Sequence, residues 1–318
     1  MCSSALFTLL FVLNLFFFSN SLFAQFLSKN NWKKKRQEII FGFGVGNFLG
    51  DLGGRDAIGT DYSPIDLELA LTRPAAMGGY RYRLSPNWAV RGELNYLRLW
   101  GDDKLTKEPF RNNRNLYFRS NVFELSANIE YVFSREKGGN RYHLKHTFKT
   151  RQKASSFYSY IFTGISGFYF NPKTKFQGSW VALQPLSTEG QGLIPGKKKY
   201  SRISVSIPMG VGVKMNINDQ WCVGLEANYR LTFTDYIDDC STVYYDNHAL
   251  NLAKGPIAAA LADPNQGNFP IQIDPTTGKT RDGLQRGDSR QNDAYMNLSI
   301  TGGYYLKTKK RKKTRSKF

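Results

Sequence analysis

The chain carries eight strand-like segments, and in seven of them hydrophobic and polar residues alternate. In the clearest, residues 203–215, Ile, Val and Met occupy the odd positions and Ser, Pro, Gly and Lys the even ones. A period of two is typical of β-strands, whose successive side chains point to opposite faces. Residues 157–170 are apolar on both faces, and we assign them as a strand by composition and position. The other segments are 39–45, 80–84, 90–96, 123–133, 221–233 and 296–304.

The lengths of the strands and of their connections favour a membrane barrel over a soluble sandwich. The runs reach 10 to 14 residues, whereas a globular strand has about 5 to 6 and a tilted membrane-spanning strand about 9 to 11. Tight turns at 85–88 and 218–221 alternate with long connections, as in outer-membrane barrels whose short turns are periplasmic. The long connections are 50–72, 101–119, 171–200 and 234–292.

These features predict an all-β fold: an eight-stranded antiparallel transmembrane β-barrel with long extracellular loops, over residues 37–306. With eight strands, both termini lie in the periplasm, and the protein is integral to the outer membrane. A mean hydropathy of −0.44 excludes a bundle of membrane helices. The strand ends carry aromatic residues that fit an interfacial girdle, namely Trp88, Tyr131, Phe133, Trp221 and Tyr304.

We interpret residues 1–24 as a signal peptide. Residues 5–18 are apolar with two exceptions, and Ala24 supplies the small residue at the expected cleavage position. A retained anchor is the alternative, but the apolar core is short for a bilayer span. We expect no disulfide between Cys222 and Cys240, because Cys222 lies early in a predicted strand and Cys240 lies beyond its far end, so the loop would have to fold back along the strand.

The net charge of +19 is concentrated in a basic N-terminal segment (25–36), an insert (134–153) and a C-terminal tail (307–318), which hold 20 basic residues and one acidic residue. All three map to the periplasmic side of the predicted topology. We therefore expect a basic face for an acidic partner or anionic lipid headgroups; solvation of flexible ends is the alternative. The signal peptide argues against nucleic acid. The predicted partner-binding residues are Lys33, Lys34, Lys35, Arg36, Arg141, Lys145, Lys149, Arg151, Lys309, Lys310, Arg311, Lys312 and Lys313.

An eight-stranded barrel is only wide enough for side chains to fill it. Nine charged residues fall on its inward face, and we interpret them as a paired network that plugs the lumen, since an unpaired buried charge is costly. A selective ion path is the alternative, and it needs a wider bore. The nine are Arg81, Arg83, Arg91, Glu93, Glu124, Glu130, Lys214, Glu226 and Arg230.

Candidate chemistry is sparse. Neither a Gly-x-Ser-x-Gly nor a His-Glu-x-x-His motif occurs. His143 and His146 could meet on one helical turn, without an evident third metal ligand. Asp235, Asp238 and Asp239 could form a cation site, although such clusters more often cap turns. We expect no enzymatic activity, no cofactor and no metal.

Three stretches resemble the PorG-like outer-membrane barrels of the type IX secretion system, members of a broader outer-membrane β-barrel group. They are 50–54 (GDLGG), 79–82 (GYRY) and 229–241 (YRLTFTDYIDDCS). The resemblance covers residues 37–307, and the last stretch is its most specific part, although barrels outside the secretion system share it. Cys240 departs from the small apolar residue usual at that position.

The resemblance implies an anchor for the periplasmic ring of a secretion machine, which is built from a lipoprotein and a partner protein. Outer-membrane lipids are the other expected partners. A small-molecule transporter or ligand-binding outer-membrane barrel, acting through 171–200 and 234–292, is the alternative. A lipid-modifying enzyme is a third reading; it needs a His beside a Ser or acid at the outer rim, where only His248 lies.

Overall fold

A computed structural model describes residues 31–52, 71–133 and 157–306. The strands are β1 (Gln37–Leu49), β2 (Arg73–Arg83), β3 (Trp88–Asp102), β4 (Tyr117–Val132), β5 (Phe157–Tyr169), β6 (Pro172–Phe176), β7 (Ser179–Ala182), β8 (Ile203–Asn216), β9 (Trp221–Thr232) and β10 (Ala294–Tyr305). The α-helices are α1 (Asn31–Lys34), α2 (Pro109–Arg114), α3 (Asn247–Lys254) and α4 (Pro256–Ala262). Within these ranges, no helix combines the length and the apolar character needed to cross a bilayer.

Eight strands close into an antiparallel barrel in the order β1–β2–β3–β4–β5–β8–β9–β10 and back to β1. The first and last strands make the closure, pairing from Glu38 with Tyr305 to Leu49 with Ala294. A closed sheet leaves no open edge, so its backbone groups are satisfied within the wall. The predicted eight-stranded antiparallel barrel is confirmed.

The barrel wall has an apolar outer face and a polar inner face. Phe43 and Ile165 are each 72% exposed on the outside, whereas Arg81 and Glu93 are each 2% exposed on the inside. A soluble protein shows the reverse arrangement, and an outward apolar band is the mark of a membrane barrel. Along most of its length, the wall therefore presents to its surroundings a surface suited to lipid.

Two short turns lie at one end of the barrel, which we call the turn rim. In each turn one side-chain oxygen, from Ser85 or from Asn218, accepts hydrogen bonds from the backbone amides two and three residues later. These local bonds reverse the chain within four residues. Above the turns lie the predicted girdle residues Trp88, Tyr131, Phe133, Trp221 and Tyr304, all at least partly exposed.

The turn rim also receives the strand ends that adjoin the three basic segments. β1 starts there, β10 ends there, and β4 and β5 meet the segment between them there. The strand ends thus agree with the predicted topology, in which the basic segments join the barrel on one side. Residues 1–30, 134–156 and 307–318 lie outside the described residues, so the signal peptide, insert and tail stay predictions.

The opposite end, the loop rim, carries long connections that fold into small units. The predicted loop at 101–119 is shorter than expected, because β3 and β4 continue to pair as far as Asp102 and Tyr117. The connection at 171–200 contains the β6–β7 hairpin, and the one at 234–292 contains α3 and α4. Residues 53–70 lie outside the described part of the chain.

Candidate functional site

Ten charged side chains of the barrel strands point into the lumen, and we call them the lumen network. None is more than 7% exposed. The cations are Arg81, Arg83, Arg91, Lys214 and Arg230. The carboxylates are Glu38, Glu93, Glu124, Glu130 and Glu226. Five positive charges face five negative charges, so the network is neutral as a whole.

Glu38 is the member that reasoning from the sequence missed. The other nine were predicted, and they leave one cation unbalanced. The alternating segment predicted for β1 begins at Ile39 and therefore excludes Glu38, the residue immediately before it. Glu38 lies on the same strand face as Gly42 and Gly44, so extending the period-two pattern by one residue would have found it.

Near the turn rim, Glu38 is held between two cations. Lys214 donates from Nζ to Glu38 Oε1 at 2.6 Å, and Arg81 donates from Nη1 to both carboxylate oxygens at 3.1 Å. Arg81 also donates from Nη2 to Glu130 at 2.8 Å, and the Cys222 thiol donates to Glu38 at 3.2 Å. Charge-assisted bonds of this kind offset the cost of burying the carboxylate.

In the middle of the lumen, Arg91 binds Glu226 through two parallel bonds, of 2.6 Å from Nη1 and 2.9 Å from Nη2. The same guanidinium lies 3.0 Å from Glu93 and 3.1 Å from Glu130. The Tyr160 hydroxyl donates to Glu226 at 2.8 Å. One arginine therefore meets three carboxylates, and the pairing crosses the lumen between distant strands.

Closer to the loop rim, Arg230 and Glu124 form the last layer of the network. Arg230 Nε donates to Glu124 Oε2 at 2.6 Å, and Arg230 Nη1 donates to the side-chain oxygen of Asn297. Glu124 also accepts the Tyr295 hydroxyl at 2.5 Å and the Asn95 amide at 2.9 Å. This layer ends the charged part of the lumen.

Aromatic side chains of β5 occupy the remaining space. Tyr158, Tyr160 and Phe162 all point inward and are at most 4% exposed. The neighbouring strand β8 makes room for these rings with glycines. A Cβ on Gly212 would lie 2.2 Å from Tyr160, and a Cβ on Gly210 would lie 2.4 Å from Phe162. This packing explains why β5 is apolar on both faces, and it fills the bore.

An apolar cluster that we call the loop cap closes the lumen at the loop rim. Phe118 is fully buried and meets Phe48 with ring centroids 4.8 Å apart, and Phe168 meets Tyr295 at 5.7 Å. The other buried members are Leu52, Ala75, Leu97, Leu99, Leu116, Val122, Phe170, Leu183, Ile237, Cys240 and Leu261. Charged filling therefore gives way to apolar filling along the barrel axis.

A buried carboxylate ties the two longest connections together above the loop cap. Glu189 accepts the Arg286 guanidinium at 3.0 Å and the backbone amides of Ser241 and Thr242 at 2.8 and 3.1 Å. Burial opposes the ionisation of Glu189, but Arg286 and these hydrogen bonds hold its pKa below the ordinary value. The bonds fix segments that lie far apart in the sequence.

Of the predicted cation candidates Asp235, Asp238 and Asp239, the last two accept hydrogen bonds, mostly from distant parts of the chain. Asp238 accepts the backbone amides of Leu52 at 3.2 Å and Cys240 at 2.9 Å. Asp239 accepts two hydroxyl groups, at 2.5 and 2.6 Å. Among the described residues, no group of three metal-ligating side chains is placed to hold a metal ion. Of these bonds, only the one from the Cys240 amide to Asp238 is local enough to cap a turn, and the others join distant segments.

These aspartates are part of a crowded carboxylate cluster. Burial, followed by repulsion from neighbouring carboxylates, raises the pKa of Asp235 to about 8. The same two causes raise the pKa values of Asp51, Asp238 and Asp293. Asp293 accepts the Ile237 amide through Oδ2 at 2.8 Å. The loops above the cap therefore hold acids that retain protons at a pH where exposed aspartates are ionised.

The match to known families covers most of the barrel. A family model described as "Domain of unknown function (DUF6089)" matches residues 17–257. The chain belongs to this family. The match includes β1 through β9 and α3, and therefore seven of the eight barrel strands; β10 lies beyond it. A search of the curated proteins finds no match.

Several solved structures resemble this DUF6089 protein at low identity. Neisserial surface protein A is 8% identical, with a TM-score of 0.37, over 85% of this chain and 97% of that one. OprG from Pseudomonas aeruginosa is 10% identical, with a TM-score of 0.36, over 86% and 98%. Ail of Yersinia pestis, solved with the heparin analogue sucrose octasulfate, is 10% identical, with a TM-score of 0.35, over 85% and 97%. Because these TM-scores are low, we draw no conclusion from the similarities.

Four of the predicted partner-binding residues of this DUF6089 protein, those at 33–36, fall within the described part. Lys35 Nζ lies 5.1 Å from the centroid of the Tyr305 ring, and the Arg36 guanidinium lies 4.7 Å from that of Tyr82. Arg36 also donates from Nε to a backbone carbonyl of β2 at 3.1 Å. The side chain of Lys34 is not described, and the remaining nine residues lie outside the described ranges. The basic face stays a prediction.

Both cysteines of the barrel region are free and buried. Cys222 lies beside Glu38 near the turn rim, whereas Cys240 lies in the loop cap. The expectation that they form no disulfide is confirmed. His248 is exposed on α3 at the loop rim.

Proposed function

We propose that this chain is an integral outer-membrane barrel that anchors a periplasmic assembly. The observation that carries the proposal is the filled lumen, in which nine of the ten buried charges form ion pairs and the loop cap closes the end. The interior of an eight-stranded barrel is just wide enough for side chains to fill it or for one small ligand, and here side chains fill it. A filled barrel can hold a fixed position in the bilayer and offer its rims to neighbours, and the proposal includes no enzymatic activity.

The placement of the strand ends supports an orientation with the turn rim in the periplasm. Outer-membrane barrels keep short turns on that side and long loops outside. The strands that adjoin all three basic segments end at the turn rim, so the predicted basic face would point into the periplasm. An acidic protein surface would bind such a face by charge complementarity.

The finer proposal is that the assembly is the periplasmic ring of a type IX secretion system. It rests on the resemblance of residues 229–241 to PorG-like barrels. That stretch runs from β9 into the loop cap, where Ile237 and Cys240 are fully buried. The partners would be the ring lipoprotein and its partner protein, together with the lipids around the barrel.

A ligand-binding barrel is the second candidate, and one cleft favours it. The cleft encloses about 340 Å³ beside the loop cap and is lined in part by Lys104, Tyr117, Lys175, Asp238 and Arg286. Sites for small molecules have volumes of about 300 to 1,000 Å³. This candidate predicts a specific bound metabolite and no dependence on the basic segments.

A crosslinking pull-down from native membranes tests the anchor. We would compare the full chain with a variant that lacks residues 307–318 and carries Gln at the seven basic positions of the insert. We expect the variant to lose its periplasmic partners, because the long-range attraction is removed. The seven positions are Arg135, Lys137, Arg141, Lys145, Lys149, Arg151 and Lys153.

The matched control neutralises exposed cations of the loop rim, namely Lys198, Arg281 and Arg290, and should keep the partners. Heat-modifiable migration on gels reports whether each barrel is folded. Equal partner recovery from a folded variant and from the full chain would exclude the basic face as the docking surface. A partner set without ring proteins would exclude the type IX assignment. His248→Ala should leave the membrane lipid profile unchanged.

A further inference from the structure

The wall of the barrel changes character where β3 and β4 pass beyond the apolar band. On β3 the outward side chains run from Leu94 and Tyr96 to Arg98 and Trp100. Tyr96 packs on Phe123 of β4 at 5.2 Å between ring centroids, at the edge of the band. The next outward positions are cationic. They stand at the level where a bilayer places its headgroups.

Four cations gather on this outer face of the loop rim, and we call them the outer basic patch: Arg98, Arg119, Lys173 and Lys175. Arg119 lies directly opposite Trp100 on β3 and Lys173 on β6. Side chains directly opposite each other across a strand pair share a face. Three strands therefore place their cations on one outward surface.

Aromatic rings hold the patch in place. The Arg119 guanidinium lies 3.6 Å from the centroid of the Trp180 ring, and Lys175 Nζ lies 5.9 Å from the same centroid. Trp180 in turn stacks on Tyr117 at 5.8 Å. A guanidinium over a ring face can still donate N–H bonds to an anion, and the contact with Trp180 restricts where the Arg119 side chain lies.

The cations of the patch lack the carboxylate partners that Arg81, Arg91, Lys214 and Arg230 have in the lumen. Within the described ranges, no carboxylate forms an ion pair with Arg98, Arg119, Lys173 or Lys175. Arg98 Nε is buried without a hydrogen-bond partner. Asp102, the acid that follows on this face of β3, accepts the backbone amide of Lys104. An anion outside the barrel would therefore meet four cations that no carboxylate of the described ranges already neutralises.

We propose that the outer basic patch binds the phosphorylated headgroup of a glycolipid in the outer leaflet. Phosphate suits a cluster of arginine and lysine, and the aromatic and apolar band directly below the patch suits acyl chains. The inference rests on the proposed placement of the loop rim at the outer leaflet. It does not depend on any periplasmic partner.

Binding of lipid A to the full chain in zwitterionic detergent tests this inference, with native mass spectrometry as the readout. Lipid A that carries both phosphates should bind at least tenfold more tightly than the same lipid after dephosphorylation. The variant Arg98→Gln/Arg119→Gln/Lys173→Gln should lose at least tenfold in affinity. The control Lys198→Gln/Arg281→Gln/Arg290→Gln removes three exposed cations elsewhere on the loops and should bind as the full chain does.

Equal binding of the dephosphorylated lipid would overturn the proposal, and so would an equal loss in the control. Inorganic phosphate that displaces lipid A at equal concentration would assign the patch to free phosphate and overturn the lipid. If the triple variant does not fold, the affinities of the unmodified chain for lipid A and for dephosphorylated lipid A decide whether the phosphates are recognised. The periplasmic pull-down has no influence on these outcomes, so the two proposals fail separately.

Discussion

Two regions of the same strands show opposite arrangements of polarity. In the band between the aromatic rings, apolar residues such as Leu94 face out and charged residues such as Glu93 face in. Beyond the band, Leu99 and Phe118 face in, and Arg98 and Arg119 face out. The strand geometry is continuous, so the change follows the surroundings: lipid outside the first region, water and headgroups outside the second. The interior adapts in turn, from paired charges to the loop cap.

The largest effect is expected from breaking one charge pair inside the band. Arg230→Met leaves Glu124 buried without its cation, which should reduce the free energy of unfolding by about 3–5 kcal/mol. The double variant Arg230→Met/Glu124→Leu removes both charges and should recover at least half of the loss. Urea unfolding in detergent micelles measures both. A double variant as unstable as the single one would show that the cost comes from packing rather than charge.

A slightly smaller effect is expected from a cavity in the loop cap. Phe118→Ala removes a fully buried ring and should cost about 3–4 kcal/mol, while exposing the loops to protease. The control is Phe110→Ala, because that ring is 58% exposed and its loss should cost less than about 1 kcal/mol. Equal protease sensitivity of the two variants would argue against an apolar seal at the loop rim.

The outer surface of the band gives the next test. Leu94→Arg places a charge where the wall faces lipid and should cost about 2–4 kcal/mol in phospholipid vesicles. The same change at Leu252, which is 76% exposed on α3, should stay within about 0.5 kcal/mol. If both positions tolerate arginine equally, the band does not lie in the hydrocarbon region.

The smallest effect concerns the carboxylate cluster above the cap. Burial and neighbouring carboxylates raise the pKa of Asp235 to about 8 from its ordinary value of 3.8. A raised pKa means that the folded state binds the proton more tightly, so the stabilisation is full below pH 4 and is lost as the pH rises through 8. Asp235→Asn should remove this slope, an effect on the order of 1 kcal/mol because the group is partly exposed to solvent.

Urea unfolding of the full chain and of Asp235→Asn between pH 4 and pH 9 measures the slope. The exposed Asp282→Asn should keep the pH dependence of the full chain. A slope that persists in Asp235→Asn would place the titrating group elsewhere in the cluster, at Asp51, Asp238 or Asp293.

The barrel and most of its interior could be predicted because alternate residues of a membrane-spanning strand face lipid and lumen, and the two sets differ in polarity. That rule predicts seven of the eight strands and nine of the ten lumen charges. It failed at Glu38, where the segment was started one residue late. On β3 the prediction stopped at Tyr96, because the polarity of the two faces reverses beyond that residue.

The loops could not be predicted from local patterns, because their contacts are between distant parts of the chain. Glu189 meets Arg286 across 97 positions, and β6 is placed by its pairing with β4. The inward orientation of the β5 aromatic residues could not be predicted for a related reason, because their space is provided by Gly210 and Gly212 on another strand. Composition identified this strand, but only the packing explains its two apolar faces.

The conductance of the reconstituted full chain in a planar bilayer tests most directly whether the lumen is filled. A porin inserted under the same conditions gives the scale of an open barrel. We expect insertion without steady conductance, because the lumen network and the loop cap occupy the bore. A steady, ion-selective current that scales with the number of inserted molecules would contradict a closed lumen and the anchor built on it.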